Sequence, residues 1–129
     1  MGGRYCSLVV GALEDPVPAL GLLLLGYPLQ AMGKPDSRRD DHFKRLHCPT
    51  LFVSGTRDSL APRQLLTRSA RKVKGPVSLR WIETADHGFR PLKRSGLTTE
   101  AVLADVAETS VTWVGRLDPS PGDERANTT

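Results

Sequence analysis

The hydrophobic residues of this chain fall into short runs that end at glycine or proline. The run at 19–25 is almost wholly apolar, as expected of a parallel strand that is covered on both faces by helices, and the run at 49–55 indicates a second buried strand. The run at 77–83 alternates apolar with polar residues, which is typical of a half-covered strand near the edge of a sheet. The pattern therefore predicts three strands, the first two internal and the third near an edge.

Apolar residues also recur every three or four positions over 1–14, 61–74 and 99–115, which predicts three helices. On the first helix the recurring residues are Tyr5, Leu8, Val9, Ala12 and Leu13. On the second, one face consists of Leu65, Leu66, Ser69, Ala70 and Val73. On the third they are Val102, Leu103, Val106, Val111, Trp113 and Val114.

The segment 29–47 is too long for a bare connection in a compact domain, so it is expected to hold a short helix. Asp36 or Ser37 would cap this helix, and Phe43 and Leu46 would face inward. Strands that alternate with helices indicate an α/β domain with about three parallel strands and flanking helices.

The chain of 129 residues is long enough for one domain. The domain is predicted at 1–115, and the Pro, Gly and charged residues of 116–129 indicate a disordered tail. The net charge is +4, but acidic and basic residues alternate, which argues against nucleic acid as a partner. No apolar run is long enough to span a membrane.

The two cysteines, Cys6 and Cys48, lie among apolar residues and lack the spacing of metal ligands. Reduced, buried thiols are expected at both positions. They indicate a reducing compartment, the cytoplasm, with the nucleus as the alternative. His42 and His47 follow no predicted strand and are expected to be surface or packing residues. Neither a metal ion nor a cofactor is predicted.

The candidate chemistry lies where two strands end. Asp58 follows the run at 49–55, and His87 follows the run at 77–83. Because the carboxyl ends of parallel strands share one edge of a sheet, the two side chains are expected on adjacent strand ends. An acid that orients a histidine is half of a nucleophilic-catalysis site. The alternatives are that Asp58 caps the next helix, which begins near Pro62, and that His87 makes a structural hydrogen bond.

Two neighbouring features carry weaker hypotheses. Asp86 is expected to be a solvent-facing neighbour of His87 rather than its acid. Lys93 and Arg94 could bind an anionic substrate or a protein partner, although basic loop residues are usually only solvated.

Several stretches of this sequence resemble the α/β-hydrolase superfamily, and in particular the dienelactone-hydrolase-like group that contains testis-expressed protein thirty and the third subunit of the NSL complex. The matching stretches are Leu24–Leu29, Pro49–Asp58, Leu79–Glu83, Asp86–Phe89 and Lys93–Ser95. The resemblance implies the carboxyl-terminal part of a hydrolase fold. Its complete domain would cleave a small ester or acyl substrate. The alternative is a protein-interaction module without enzymatic activity.

The nucleophile motif of that group looks like Gly-x-Ser-Met-Gly-Gly-Arg, and the first four residues, Met1 to Arg4, match the part of the motif after the serine. The resemblance thus implies that the nucleophile would precede Met1, and that Met1 is a remnant of the oxyanion hole. Ser7 and Ser54 are not expected to replace it, since one lies within a helix and the other within a strand. This chain is therefore expected to be inactive alone, with an uncovered sheet edge that favours self-association or a protein partner.

Overall fold

The computed structural model describes residues 2–30 and 39–117. Its elements, in chain order, are α1 (Gly2–Val10), β1 (Leu22–Leu25), a 3-10 helix (Asp41–Arg45), β2 (Thr50–Gly55), α2 (Arg63–Ala70), β3 (Val77–Ile82), a second 3-10 helix (Lys93–Ser95) and α3 (Thr99–Gly115). The strands form one parallel sheet in the order β1-β2-β3. This architecture confirms the predicted α/β fold with three parallel strands and flanking helices.

The register of the sheet brings the strand ends together. Leu24 of β1 lies beside Phe52 of β2, which in turn lies beside Leu79 of β3. Every residue of β2 is buried, because this strand has a neighbour on each side and helices on both faces. On β3 the more exposed and less exposed residues alternate along most of the strand, as the sequence predicts for a strand at an edge.

Two hydrophobic clusters fill the two faces of the sheet. On one face, Leu24 and Phe52 pack with Leu66 of α2 and with residues from the 3-10 helix and α1. On the other face, Val53 and Ile82 pack with α3. Each face of the central strand therefore contributes to a separate core, and this fixes β2 between the helices.

The first helix does not bury the face that the sequence suggests. Gly3, Ser7 and Gly11 face the sheet and the first 3-10 helix, whereas Tyr5 and Val9 are 57% and 48% exposed. A Cβ atom on Gly11 would lie 3.1 Å from the carbonyl oxygen of His42. Small residues thus allow the helix backbone to approach its neighbours closely, and the larger side chains are left outside.

The ends of the first elements also differ from the prediction. α1 ends at Val10 rather than near Glu14, and β1 begins at Leu22 rather than at Ala19. In the intervening segment, Pro16 and Pro18 lack the backbone N–H that a helix or a strand interior needs. The helix and the strand therefore stop short of these prolines on either side.

The segment before β2 holds a 3-10 helix in which Phe43 and, just beyond it, Leu46 are fully buried, as predicted. The suggested caps, Asp36 and Ser37, lie outside the described residues. So does nearly all of the predicted disordered tail, since the description ends at Leu117.

The last helix begins at Thr99, where the Thr98 hydroxyl accepts a hydrogen bond from the backbone N–H of Ala101, and it ends at Gly115 as predicted. Only one side of this helix meets the sheet. Val102 and Val106 are buried there, whereas three apolar residues expected to pack are about half exposed or more: Leu103, Val111 and Val114.

The cysteines do not match the expected buried pair. Cys6 is exposed on α1 and Cys48 is half-buried, and neither forms a disulfide. Burial raises the pKa of the Cys48 thiol. Among residues 2–30 and 39–117, no helix is both long and apolar enough to cross a membrane.

Candidate active site

Asp58 lies in the loop that leaves the carboxyl end of β2. Its backbone N–H donates to the Gly55 carbonyl at 3.2 Å, and the carboxylate Oδ1 accepts from the backbone N–H of Leu60 at 2.8 Å. The carboxylate side chain is fully buried. The bond to Leu60 holds the turn that leads to α2, but the residue at the N-cap position of α2 is Pro62. Asp58 therefore shapes the loop without capping the helix.

His87 lies in the loop that leaves β3, and this loop crosses the ends of the other two strands. A Cβ atom on Gly55 would lie 2.2 Å from the carbonyl oxygen of Ala85, so any larger residue at the end of β2 would displace the loop. Gly26, at the end of β1, has a φ of +59°, and a Cβ atom there would lie 3.3 Å from the His87 carbonyl oxygen. Two glycines thus allow the histidine to sit above the strand ends.

The structure brings the two candidate residues into direct contact. Nδ1 of His87 lies 2.8 Å from Oδ2 of Asp58. A carboxylate can only accept, so Nδ1 carries the proton and donates it. The imidazole is 42% exposed while the carboxylate is fully buried. The predicted proximity of the acid and the histidine is therefore present. Nδ1 is bonded to Asp58, and the other ring nitrogen, Nε2, has no hydrogen-bond partner among the described residues.

Asp86 has a larger part in this loop than the sequence suggests. Its Oδ1 accepts from the backbone N–H groups of Gly88 and Arg90 at 3.0 and 2.9 Å, and its Oδ2 accepts from the Arg90 guanidinium at 3.3 Å. The hydrogen bond from the Arg90 backbone is the main cause that lowers the pKa of Asp86. Asp86 thus closes the turn that presents His87, and it does not contact the imidazole.

A second histidine pair lies inside the protein, and sequence reasoning missed it. Nε2 of His42 lies 2.7 Å from Oγ of Ser7, and both residues are buried. The Ser7 hydroxyl also donates to the Arg4 carbonyl at 2.9 Å. Because a hydroxyl has one proton, Nε2 of His42 must donate to Ser7. Burial lowers the pKa of His42, and the nearby guanidinium of Arg45 lowers it further. The expectation of a packing histidine is confirmed, with a serine as its partner.

An ion pair with a buried carboxylate joins the end of α2 to the start of the first 3-10 helix. Asp40 is nearly fully buried, and its Oδ2 accepts from the Ser69 hydroxyl at 2.6 Å and from Nζ of Lys72 at 3.0 Å. Burial alone would raise the pKa of Asp40, but the bonds from Ser69 and Lys72 outweigh it and lower the pKa. Ser69 and Lys72 thus satisfy the buried carboxylate of Asp40, so it needs no ligand to balance its charge.

The remaining candidates are not brought to the histidine. Ser7 is bonded to His42 rather than to His87, and Ser54 is buried within β2 with no hydrogen-bond partner for its hydroxyl among the described residues. Lys93 and Arg94 are exposed in the second 3-10 helix. Met1, the suggested oxyanion-hole remnant, lies outside the described residues.

The chain is similar in fold to an esterase of known structure. It superposes on esterase 2 of the planctomycete Thermogutta terrifontis with propionate bound, with a TM-score of 0.54 and 18% identity over 92% of this chain and 55% of the esterase. The same esterase phosphorylated by paraoxon gives a TM-score of 0.53 and 19% identity, over 92% and 53% of the two chains. The chain thus spans about half the length of these structures.

A comparison with protein families assigns the chain at the level of sequence. The model of the alpha/beta hydrolase domain matches residues 1–115. Together with the parallel sheet and the contact between Asp58 and His87 at the ends of its strands, this match shows that the chain belongs to the alpha/beta hydrolase family.

Proposed function

We propose that this chain carries the acid and the base of a serine hydrolase that cleaves small ester or acyl substrates. The observation that carries the proposal is the 2.8 Å hydrogen bond from Nδ1 of His87 to the fully buried carboxylate of Asp58. A serine hydroxyl becomes a useful nucleophile only when a base takes its proton, and an oriented histidine is the usual base.

The roles follow from the geometry. Asp58 fixes the imidazole with the proton on Nδ1, which leaves the lone pair on Nε2 to accept a proton from the nucleophile. When His87 becomes an imidazolium, the same carboxylate stabilises the new positive charge. His87 then returns the proton to the leaving group. The partial exposure of the ring suits this work, since a substrate must reach it.

Among the described residues, no serine hydroxyl hydrogen-bonds to Nε2 of His87; Ser7 bonds to the buried His42, and Ser54 lies inside β2. We propose that a nucleophile from outside this sequence completes the site, and that the chain alone does not hydrolyse esters. A close relationship to the dienelactone-hydrolase-like group is part of the same proposal, and so is a cytoplasmic or nuclear location.

The experiment compares the purified chain with any longer product of the same reading frame that carries a serine immediately before Met1. We expect no hydrolysis of p-nitrophenyl acetate and no labelling by a fluorophosphonate in the chain alone, and both in the longer product. Hydrolysis by the short chain that His87→Ala abolishes would contradict the missing nucleophile. A longer product without activity or labelling would instead favour the interaction module.

A further inference from the structure

Thr84 lies between β3 and His87, and its backbone conformation is unusual for its residue type. Its φ is +64°, in the left-handed region that glycine adopts readily and a β-branched residue very rarely does. Strained backbone of this kind persists only where the surrounding structure enforces it, and it is found most often at functional sites. Neighbouring residues must therefore hold Thr84 in place.

All three hydrogen-bonding groups of Thr84 are bonded. Its N–H donates to the hydroxyl oxygen of Thr56 at 2.9 Å, and its C=O accepts from the guanidinium of Arg57 at 3.0 Å. Its own hydroxyl oxygen accepts from the backbone N–H of Leu92 at 3.4 Å. Thr56 and Arg57 are the two residues that precede Asp58. The loop that carries the acid therefore holds Thr84 by its amide and by its carbonyl, and we call these three residues, Thr56, Arg57 and Thr84, the Thr84 clamp.

The bonds of the clamp lie close to the histidine along the chain. The backbone N–H of Arg57 also donates to the carbonyl of Ala85 at 2.9 Å, and Ala85 is fully buried. Only two residues separate Thr84 from His87. A change in the backbone of Thr84 therefore reaches the imidazole, because the chain between them is too short and too firmly bonded to absorb it.

We propose that Thr56 and Arg57 are positioning residues, which act through Thr84 to hold His87 against Asp58. The inference rests on the proposed function, in which His87 is the base. The segment 55–58 carries the acid and also anchors the loop of the base, so one short segment sets the distance between the two groups. A displacement of about 1 Å can lower a catalytic rate by about 100-fold, which is the reason for such an anchor.

The hydroxyl of Thr56 is the part of the clamp that a substitution removes most cleanly. Thr56→Val keeps the shape of the side chain but leaves the N–H of Thr84 without its acceptor, so the left-handed backbone loses one of the bonds that enforce it. Thr56→Ser keeps the oxygen. Thr67→Val is the matched control, since Thr67 is half-buried like Thr56 and its hydroxyl donates to the Arg63 carbonyl within α2.

The test is ¹H–¹⁵N correlation NMR of the histidine rings in the full chain at alkaline pH. The His87 ring should carry its proton on Nδ1 in the unmodified chain, in Thr56→Ser and in Thr67→Val. In Thr56→Val its ¹⁵N signals should move toward those of a free imidazole, because the ring no longer meets the carboxylate. Arg57→Ala should move them in the same direction by a smaller amount, since Arg57 is exposed. The signals of His42 should stay unchanged throughout.

Kinetics give a second readout, in the longer product that supplies the serine. Thr56→Val should lower kcat by about 100-fold, and KM should stay within about twofold, because the clamp acts on the base and not on the binding of the substrate. Thr56→Ser should restore most of the activity. A loss that falls on KM instead of kcat, or that Thr56→Ser does not restore, would overturn the proposal.

The NMR results separate a failure of the clamp from a failure of the proposed function. An unchanged His87 ring in Thr56→Val, or an equal change in Thr67→Val, would overturn the clamp and leave the proposed function standing. A His87 ring without the Nδ1 proton in the unmodified chain would overturn both. If Thr56→Val also alters His42, the fold is disturbed and Arg57→Ala decides: a change at His87 alone supports the clamp, and no change overturns it.

Discussion

His87 and His42 each make one short side-chain hydrogen bond, and almost everything else about them differs. His87 bonds through Nδ1 to an acid that is fully buried, and its ring is 42% exposed. His42 bonds through Nε2 to a serine, and it is only 4% exposed. A serine beside a histidine suggests catalysis at first sight, but here both side chains are buried in the fold.

The difference teaches which contacts matter for a function. A catalytic histidine needs an orienting partner on one nitrogen and an open path to the other, and His87 has both. His42 has a lowered pKa and a hydroxyl partner, but it is buried, and its bond to Ser7 joins the 3-10 helix to α1. The proposed division is therefore between a reactive pair, Asp58 with His87, and a structural pair, Ser7 with His42.

The largest expected effect is on catalysis, in a longer product that supplies the serine. His87→Ala should lower kcat by a factor on the order of 10⁶, because the base is lost. Asp58→Asn should lower it by a factor on the order of 10⁴, because the amide favours the wrong tautomer. Ester hydrolysis measures both.

Asp86→Asn is the control for these two variants, since an amide oxygen can still accept the backbone N–H groups of Gly88 and Arg90. Its effect on kcat should be much smaller. A loss as large as that of Asp58→Asn would mean that Asp86 belongs to the catalytic machinery and that the present division of roles is wrong.

The next effect is on stability, and it concerns the structural pair. His42→Ala should lower the free energy of unfolding by about 2–4 kcal/mol, because it leaves a cavity and removes the donor to the buried Ser7 oxygen. His47→Ala, at an exposed histidine five residues away, should change it by about 0.5 kcal/mol or less. Urea melts of the three proteins test this, and equal losses at His42 and His47 would show that the Ser7–His42 pair has no structural role.

Much of the fold could be predicted from the sequence, because strands that are buried on both faces and helices bounded by Pro62 and Gly75 leave clear patterns. The contact of Asp58 with His87 was also predictable, since parallel strands bring their carboxyl ends to one edge. Both inferences need only the local periodicity and the order of the strands and helices, and a single sequence provides both.

The features that could not be predicted depend on which side of a helix meets its neighbours. The pattern of Tyr5 and Val9 suggests a buried face, but α1 packs through Gly3, Ser7 and Gly11. Periodicity shows that large apolar residues share a face without showing that anything covers it. The pairing of Ser7 with His42, 35 positions apart, also left no pattern in the sequence. Neither residue follows a strand, so topology does not predict their contact.

A smaller effect concerns pH. Burial lowers the pKa of His42 below its ordinary 6.5 in the folded protein, so near that pH the unfolded chain binds more protons at this residue than the folded chain does. Stability should therefore fall as the pH drops below about 6.5. His42→Gln, which keeps a donor for Ser7, should flatten this part of the profile. Asp40, whose pKa is also lowered, should lose its contribution only below its ordinary value of 3.8.

The measurement is the urea midpoint at about pH 7.5 and about pH 5, with His47→Gln as the control that removes an exposed imidazole. The slope between the two pH values should shrink in His42→Gln and persist in His47→Gln. An unchanged slope in His42→Gln would show that folding does not lower the pKa of His42.

The most direct test of the central claim is the tautomer of each histidine, measured in this chain by ¹H–¹⁵N correlation NMR of the imidazole rings at alkaline pH. The account predicts that His87 carries its proton on Nδ1, bonded to Asp58, and that His42 carries its proton on Nε2, bonded to Ser7. Asp58→Asn should move the proton of His87 to Nε2 and leave His42 unchanged. A His87 ring protonated on Nε2 in the unmodified chain would contradict the account, because that nitrogen could not then accept the proton of a nucleophile.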